Sequence, residues 1–298
     1  MIHNSFLVES KERGGHGSAL CITDMVFSME LDFDQPFSER TPRVVNAAKL
    51  LRAAGRKKAD RFLAEGENSV EAAVSTGAAT DVFVTERAAQ RFADVITAAK
   101  HMGVYVHPIT DRAAKSLSDT VTTTGIFAVC RPVLWDIKSA LKGQPRLVCV
   151  PVGTAEPGNA GTLIRVADAM GADCIIFAGD TVDPQGPKAV RSSAGSLFHI
   201  PVVREPNMQR VWDSLKARGL TILATTAQGE VSLDNPGEAL SSPTAWLMGN
   251  EAHGLDSALM EKADHRVSIP IRGRAESLNL ATAASICLYE SSKALLAD

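Results

Sequence analysis

From residue 147 onward the sequence alternates short runs of Val, Ile and Leu with stretches of helical apolar spacing, and no other feature constrains the fold as strongly. Expected strands cover residues 147–152, 174–178, 200–203, 220–225, 245–248 and 267–269; expected helices cover 160–170, 187–196, 208–218, 255–263 and 277–296. The strands alternate little between apolar and polar positions, as a parallel sheet covered on both faces requires. Residues 146–298 therefore read as a doubly wound α/β domain.

The first half repeats the pattern on a smaller scale. Val44, Val45, Ala48, Leu51 and Ala54 follow helical spacing from Pro42 and stop at Gly55, and a strand over 61–64 comes next. Three helix-and-strand units follow, with helices starting near 69, 86 and 111 and strands over 81–85, 104–107 and 126–130. Residues 41–131 thus read as a small α/β domain, and 132–145, with Gly143 and Pro145, as a linker. Residues 1–40 lack sustained periodicity and read as a disordered tail in which Met25 and Met29 are alternative starts. They lack the basic and apolar blocks of a signal peptide.

Composition removes several classes. The apolar runs are far shorter than the roughly 20 residues that span a bilayer. Cys21, Cys130, Cys149, Cys174 and Cys287 include no CxxC pair, so they read as free thiols of a reducing cytoplasm, and neither a disulfide framework nor a metal site is expected. A net charge of −3 gives no global case for nucleic acid, but between Arg40 and Arg61 eight cations stand against Asp60 alone. Arg43, Arg52, Arg56, Lys57, Lys58 and Arg61 from this run are the candidate nucleic-acid contacts; by itself such a run is equally a solvated helix face.

Signatures of Rossmann dehydrogenases, P-loop enzymes, zincins and α/β hydrolases are missing. Three unusual loops remain, each at the carboxyl end of an expected strand, where open α/β sheets bind ligands. The first, 156–165, carries Asn159 at an expected helix N-cap and Arg165 about one and a half turns on. The second, 249–255, reads Gly-Asn-Glu-Ala-His-Gly-Leu and offers Glu251 between glycines that allow close approach to the backbone, with His253 read as ordinary. The third, 269–279, leads from Ile269 and Pro270 through Arg272 and Arg274 to Ser277 and Asn279 at a helix start, a natural site for a ribose phosphate. Taken singly, Asn159 and Ser277 are also plain helix caps.

Together these loops resemble, in order and spacing, the three motifs of the SpoU/TrmH RNA 2'-O-ribose methyltransferases of the SPOUT superfamily. Asn159 to Arg165 resembles the first motif, Gly249 to Leu255 the second, and Ile269, Pro270, Ser277, Leu278 and Asn279 the third; Arg-Ser-Ser-Ala-Gly-Ser-Leu-Phe at 191–198 looks like the segment between the first two. The resemblance runs from about Arg146 to the carboxyl terminus. Residues 41–131 look like the ribosomal-protein-like RNA-binding module found ahead of many members, with the strand at 61–66 carrying that weaker match.

The resemblance implies a trefoil-knotted parallel-sheet methyltransferase domain, against the general rule that chains do not knot, and a homodimer packed around the knot. It implies S-adenosylmethionine held near Leu247, Met248, Gly249, Asn250, Ile269, Ile271, Ser277 and Leu278. Arg165, Asn159, Glu251, Ser277 and Asn279 would be the catalytic set, with RNA, foremost 23S ribosomal RNA, as substrate. A guanidinium stays protonated and is a poor base, so Arg165 is better read as binding a phosphate and stabilising a nascent alkoxide. Glu251 would orient a neighbour, and Ser277 and Asn279 would contact the methionine end or the ribose. Two readings stand beside this one: a transfer RNA ribose methyltransferase, and a non-catalytic RNA-binding assembly factor on the same fold. An antibiotic-resistance role is left open.

Overall fold

The computed structural model describes residues 31–296. The sequence calls made on residues 1–30, most of the expected tail, lie outside the described residues. Its end, at 32–40, does not behave as a tail: Phe37 pairs with Ile109, and its ring stacks on His107 at 5.3 Å.

The first sheet contains β1 (Phe62–Glu65), β2 (Ala79–Val84), β3 (Tyr105–Pro108) and β4 (Ile126–Cys130) in the order β1-β4-β2-β3. Only β2 and β3 pair in parallel. Around it lie α1 (Pro42–Ala48), α2 (Ala53–Ala59), α3 (Glu67–Ser75), α4 (Glu86–Arg91), α5 (Ala93–His101) and α6 (Asp111–Leu117). Val44 and Leu50 close over Leu63, Phe83, Ile109, Leu117 and Phe127 to form one core layer. The single helix expected to end at Gly55 is instead two helices with a 3-10 turn, Lys49–Leu51, between them. Gly55 lies inside α2, where a Cβ would sit 2.0 Å from the Lys49 carbonyl oxygen; glycine there permits the tight turn rather than ending a helix.

The stretch expected as a linker also carries structure. It contains β5 (Leu134–Trp135) and α7 (Ile137–Ala140), and Ile137, Ala140 and Leu141 pack into the core of the second sheet. Burial of such side chains, each contributing up to about 3 kcal/mol, fastens the segment to that sheet.

The second sheet adds β6 (Leu147–Pro151), β7 (Cys174–Ala178), β8 (Val202–Glu205), β9 (Thr221–Thr225), β10 (Val231–Ser232), β11 (Thr244–Met248) and β12 (His265–Ser268). It runs β10-β12-β9-β11-β6-β7-β8-β5, with every pair parallel. Its covering helices are α8 (Pro157–Ala169), α9 (Pro187–Ser193), α10 (Met208–Lys216), α11 (Ser257–Lys262) and α12 (Leu280–Leu296). All five residues of β6, β7 and β11 are buried, which accounts for their unbroken apolar character. Trp246 in β11 is fully buried and donates its indole N–H to Ser291 Oγ at 2.8 Å, holding α12 on the middle of the sheet. The expected α9 ends early because Ala194 takes φ 49° and Gly195 φ 98°, a left-handed stop before the 3-10 turn Ser196–Phe198.

Contacts between the two layers are specific. Phe62 stacks on Phe198 at 5.9 Å, and Arg191 donates to Asp119 at 2.6 Å and lies 3.6 Å from the buried Glu65.

Candidate active site

The carboxyl ends of β9, β11 and β12, with the segment entering α12, surround a cavity of about 950 Å³, a size suited to a small-molecule ligand. The three loops meet beside it at Asn159. Pro157 starts α8, and the Glu156 side chain caps it, Oε2 accepting from the Asn159 backbone N–H at 2.7 Å. The cap role expected of Asn159 therefore belongs to Glu156, because Asn159 already lies within the first turn. Its amide is free to bridge: Nδ2 donates to Glu251 Oε1 at 3.1 Å, and Oδ1 accepts from Asn279 Nδ2 at 3.2 Å. The Ala155 N–H adds a longer contact to Glu251 Oε2 at 3.4 Å.

Asn279 works at both ends of its side chain, since Oδ1 accepts from the Ala281 N–H at 2.9 Å and so caps α12. Ser277 is thus neither a cap nor within the helix; it lies in the loop lining the cavity. The Glu251 loop closes on itself through reciprocal 2.9 Å bonds between Asn250 and Gly254, and the Asn250 amide donates to the Gly153 carbonyl. A Cβ on Gly249 would lie 2.5 Å from the Gly254 carbonyl carbon, so glycine is required there by the loop's own closure. Beyond this network, a Lys188 hydrogen bond to Glu156 holds that carboxyl below its ordinary range, with desolvation opposing it.

Gly249, Asn250, Glu251, Ile269, Ile271, Ser277, Leu278 and Asn279 line the cavity with Asn159. Leu247 and Met248 do not: both are fully buried in β11, and their carbonyls are taken up by the Thr225 hydroxyl at 3.0 Å and the Val152 N–H at 2.8 Å. Arg165 is also absent from the lining. It is exposed on α8 and has no partner among the described residues. Arg272 pairs with Asp234 at 2.6 Å beside a neighbouring cavity of about 350 Å³, and Arg274 is exposed. Sequence reasoning missed Thr225, Thr226, Ala227 and Ser268 in the lining. The signal was present in the polar Thr225–Thr226 pair that closes the apolar run 222–224.

The basic run divides. Arg52, Lys57 and Lys58 are exposed, Arg61 is half-buried, and Arg43 pairs with Asp81 at 3.1 Å. Arg56 does not belong with them: its side chain is only 10% exposed, with Nε and Nη2 on Asp183 at 2.8 and 2.7 Å and Nη1 on the Leu50 and Leu51 carbonyls. Those donors bind α2 to the second layer and leave little of Arg56 for RNA. Among the described residues no His, Cys, Asp and Glu cluster could hold a metal ion, and no helix is long and apolar enough to cross a membrane.

A parallel sheet with a cleft of small-molecule size at its carboxyl edge, joined to a separate mixed-sheet layer, defines a two-part α/β ligand-binding protein. Residues 146–289 match the SpoU rRNA Methylase family and residues 41–128 the MRM3-like substrate binding domain. The chain is 34% identical over 253 residues to the 23S rRNA (guanosine(2553)-2'-O)-methyltransferase RlmP of Bacillus subtilis, covering 85% of this chain and 96% of that one. An AdoMet-bound rRNA methyltransferase from Sinorhizobium meliloti superposes with a TM-score of 0.77 at 28% identity, over 88% of this chain and 98% of that one. The SpoU methyltransferase AviRb from Streptomyces viridochromogenes, in complex with AdoMet, gives 0.75 at 29% identity, over 87% and 100%. The chain belongs to the SpoU rRNA methylase family.

Proposed function

We propose that this protein transfers a methyl group from S-adenosylmethionine to a ribose 2'-hydroxyl of 23S ribosomal RNA. The observation that carries the reading is the meeting of three loops at Asn159 beside a cavity suited to the cofactor. Val267, Ile269 and Leu278 offer apolar walls for an adenine, and Thr225, Thr226, Ser268 and Ser277 offer polar groups for hydroxyls and the amino-acid end. Bound there, S-adenosylmethionine supplies an electrophilic methyl group on its sulfonium.

The chain's own part is placement and charge. The Asn279–Asn159–Glu251 chain fixes the three loops relative to one another, so Asn159, Glu251 and Asn279 are positioning residues for the cleft. Arg165 lies six residues beyond Asn159, about 9 Å along the helix axis. Its unengaged guanidinium is available to the RNA, where it binds the phosphate and stabilises the alkoxide as the 2'-hydroxyl proton passes to water.

The same reading includes a knot, supported by the return of the chain from β12, outside β9, to α12 against β11, β6 and α8. It includes a homodimer, supported by the exposed apolar side chains of Ile271 on the third loop and Tyr289 on α12. Arg52, Lys57, Lys58 and Arg61 form the phosphate-facing edge of the N-terminal domain, and the reading includes a cytoplasmic location, supported by likeness to rRNA-modifying relatives.

Labelled S-adenosylmethionine and total RNA from a strain lacking the gene test the reading. Label in 23S rRNA, mapped by primer extension and absent with Arg165→Ala, supports it. Label in transfer RNA, or in no RNA despite cofactor binding, overturns it.

A further inference from the structure

We propose that the N-terminal sheet carries a second RNA subsite: a pocket at the open end of β3 that receives one unpaired nucleotide, its base on Tyr105 and its phosphate beside Arg43 and Arg131. The proposal rests on the reading that the substrate is RNA, and it concerns residues outside the methyl-transfer cleft.

β3 is an edge strand. Phe37 covers its carboxyl end through the Pro108 carbonyl, and a cavity of about 430 Å³ lies at its amino end. Tyr105 is 68% exposed there and Met102 54%, a large amount of apolar surface for one small pocket. The Tyr105 ring is already oriented. It lies 6.4 Å from His107 with an interplanar angle of 11°, and His107 stacks in turn on Phe37 at 21°, so Tyr105 ends a row of roughly stacked rings and is largely exposed. A ring held this way loses little freedom when a base stacks on it.

The electrostatics select an anion. Arg43 binds Asp81 through Nη1, and Arg131 binds the Gly77 carbonyl through Nη1 at 2.8 Å. Each guanidinium is thereby tethered while its other donors have no partner among the described residues. Asp81 also bonds His107 at 2.9 Å, so the pocket's one carboxylate is engaged and the two arginines leave it positive. Free phosphate would leave the tyrosine face unused, and an apolar ligand would leave Arg131 without a counter-charge and the outer donors of Arg43 unused. A nucleotide of single-stranded RNA uses both, with the sequence tolerance that base-on-aromatic stacking brings.

The test uses the full-length protein, 23S rRNA transcribed in vitro, and a mixed-sequence single-stranded RNA of about a dozen nucleotides, a length within the range of known single-strand sites. Binding is measured for wild type, Tyr105→Ala, Tyr105→Phe and Arg131→Gln, and 5-bromouridine-substituted RNA is photocrosslinked and the adducts mapped by mass spectrometry. Tyr105→Ala is expected to weaken binding by about 5- to 100-fold and Tyr105→Phe to restore it. Arg131→Gln is expected to reduce the slope of log affinity against log salt by about 1, and an adduct should fall on Tyr105. Unchanged affinity for Tyr105→Ala with adducts only elsewhere overturns the subsite, even if methyl transfer to 23S rRNA proceeds normally. Tyr105-dependent binding without methyl transfer to any RNA upholds the subsite and overturns the proposed reaction instead.

Discussion

The two sheets present their ligand surfaces in opposite ways. In the eight-stranded sheet, strands such as β6, β7 and β11 are buried throughout, so ligand contact falls to strand-end loops built from glycine, short polar side chains and backbone. In the four-stranded sheet, β3 lies at an edge and offers side chains directly, with Tyr105 outward and Asp81 opposite it in register. The first surface is shaped by how closely backbone can pack and is sensitive to added atoms. The second is made of projecting groups and is sensitive to their removal. Arg165 combines features of both: it is a projecting side chain on the sheet whose cleft is otherwise made of loops.

The largest test of that contrast is Arg165 itself. Arg165→Ala is expected to lower methyl transfer about 10²- to 10³-fold, as loss of a charge-stabilising donor does, with cofactor affinity unchanged by calorimetry. A parallel fall in cofactor affinity would move Arg165 from the RNA side of the reaction into the cleft. Gly249→Ala should show the converse. Its Cβ would meet backbone at 2.5 and 2.7 Å, which a flexible side chain cannot relieve. Opening the 249–255 loop is expected to weaken cofactor binding about 10- to 100-fold, the equivalent of 1.4 to 3 kcal/mol of strain. Undiminished affinity would mean that this loop does not shape the cleft.

The contrast also explains what was readable in the sequence. β6, β7 and β11 stood out because full burial leaves continuous apolar runs, and the loops after β6, β11 and β12 because Asn159, Glu251 and Asn279 are unusual there. β5 and β10 are two residues each, too short to leave a period, and so β5 with α7 passed for a linker. The N-cap assignments slipped because capping is decided by which side chain reaches the first free amides. Glu156 does so for α8 and Asn279 for α12, and Asn159 and Ser277 do not. Arg56 was indistinguishable from its basic neighbours because its fate depends on Asp183, 127 residues away. The pocket at Tyr105 left no signal, since its parts come from α1, β2, the α5–β3 turn and the end of β4.

Arg56 therefore gives the next test, of stability rather than activity. Arg56→Ala leaves Asp183 and two carbonyls without these donors. With hydrogen bonds to charged groups contributing about 1.5 to 3 kcal/mol, a destabilisation of about 2 kcal/mol is expected in chemical denaturation. A loss of RNA affinity at unchanged stability would return Arg56 to the RNA-facing group.

The smallest effect concerns what keeps the projecting surface in place. The His107 hydrogen bond holds the Asp81 carboxyl below its ordinary range, with burial opposing it and Thr80 and Arg43 adding to the lowering. A carboxyl with a depressed folded value contributes stability that is present above the unfolded value of about 4 and is lost as pH falls through the folded one. Asp81→Asn should thus unfold at a lower temperature than wild type near neutral pH, by an amount corresponding to about 1 kcal/mol or less. The gap should close as pH is lowered below about 4, because wild-type Asp81 then becomes neutral as well. A gap independent of pH would show that Asp81 supports the β2–β3 edge by shape alone, and the tethering of Arg43 and His107 by its charge would then drop out of the comparison.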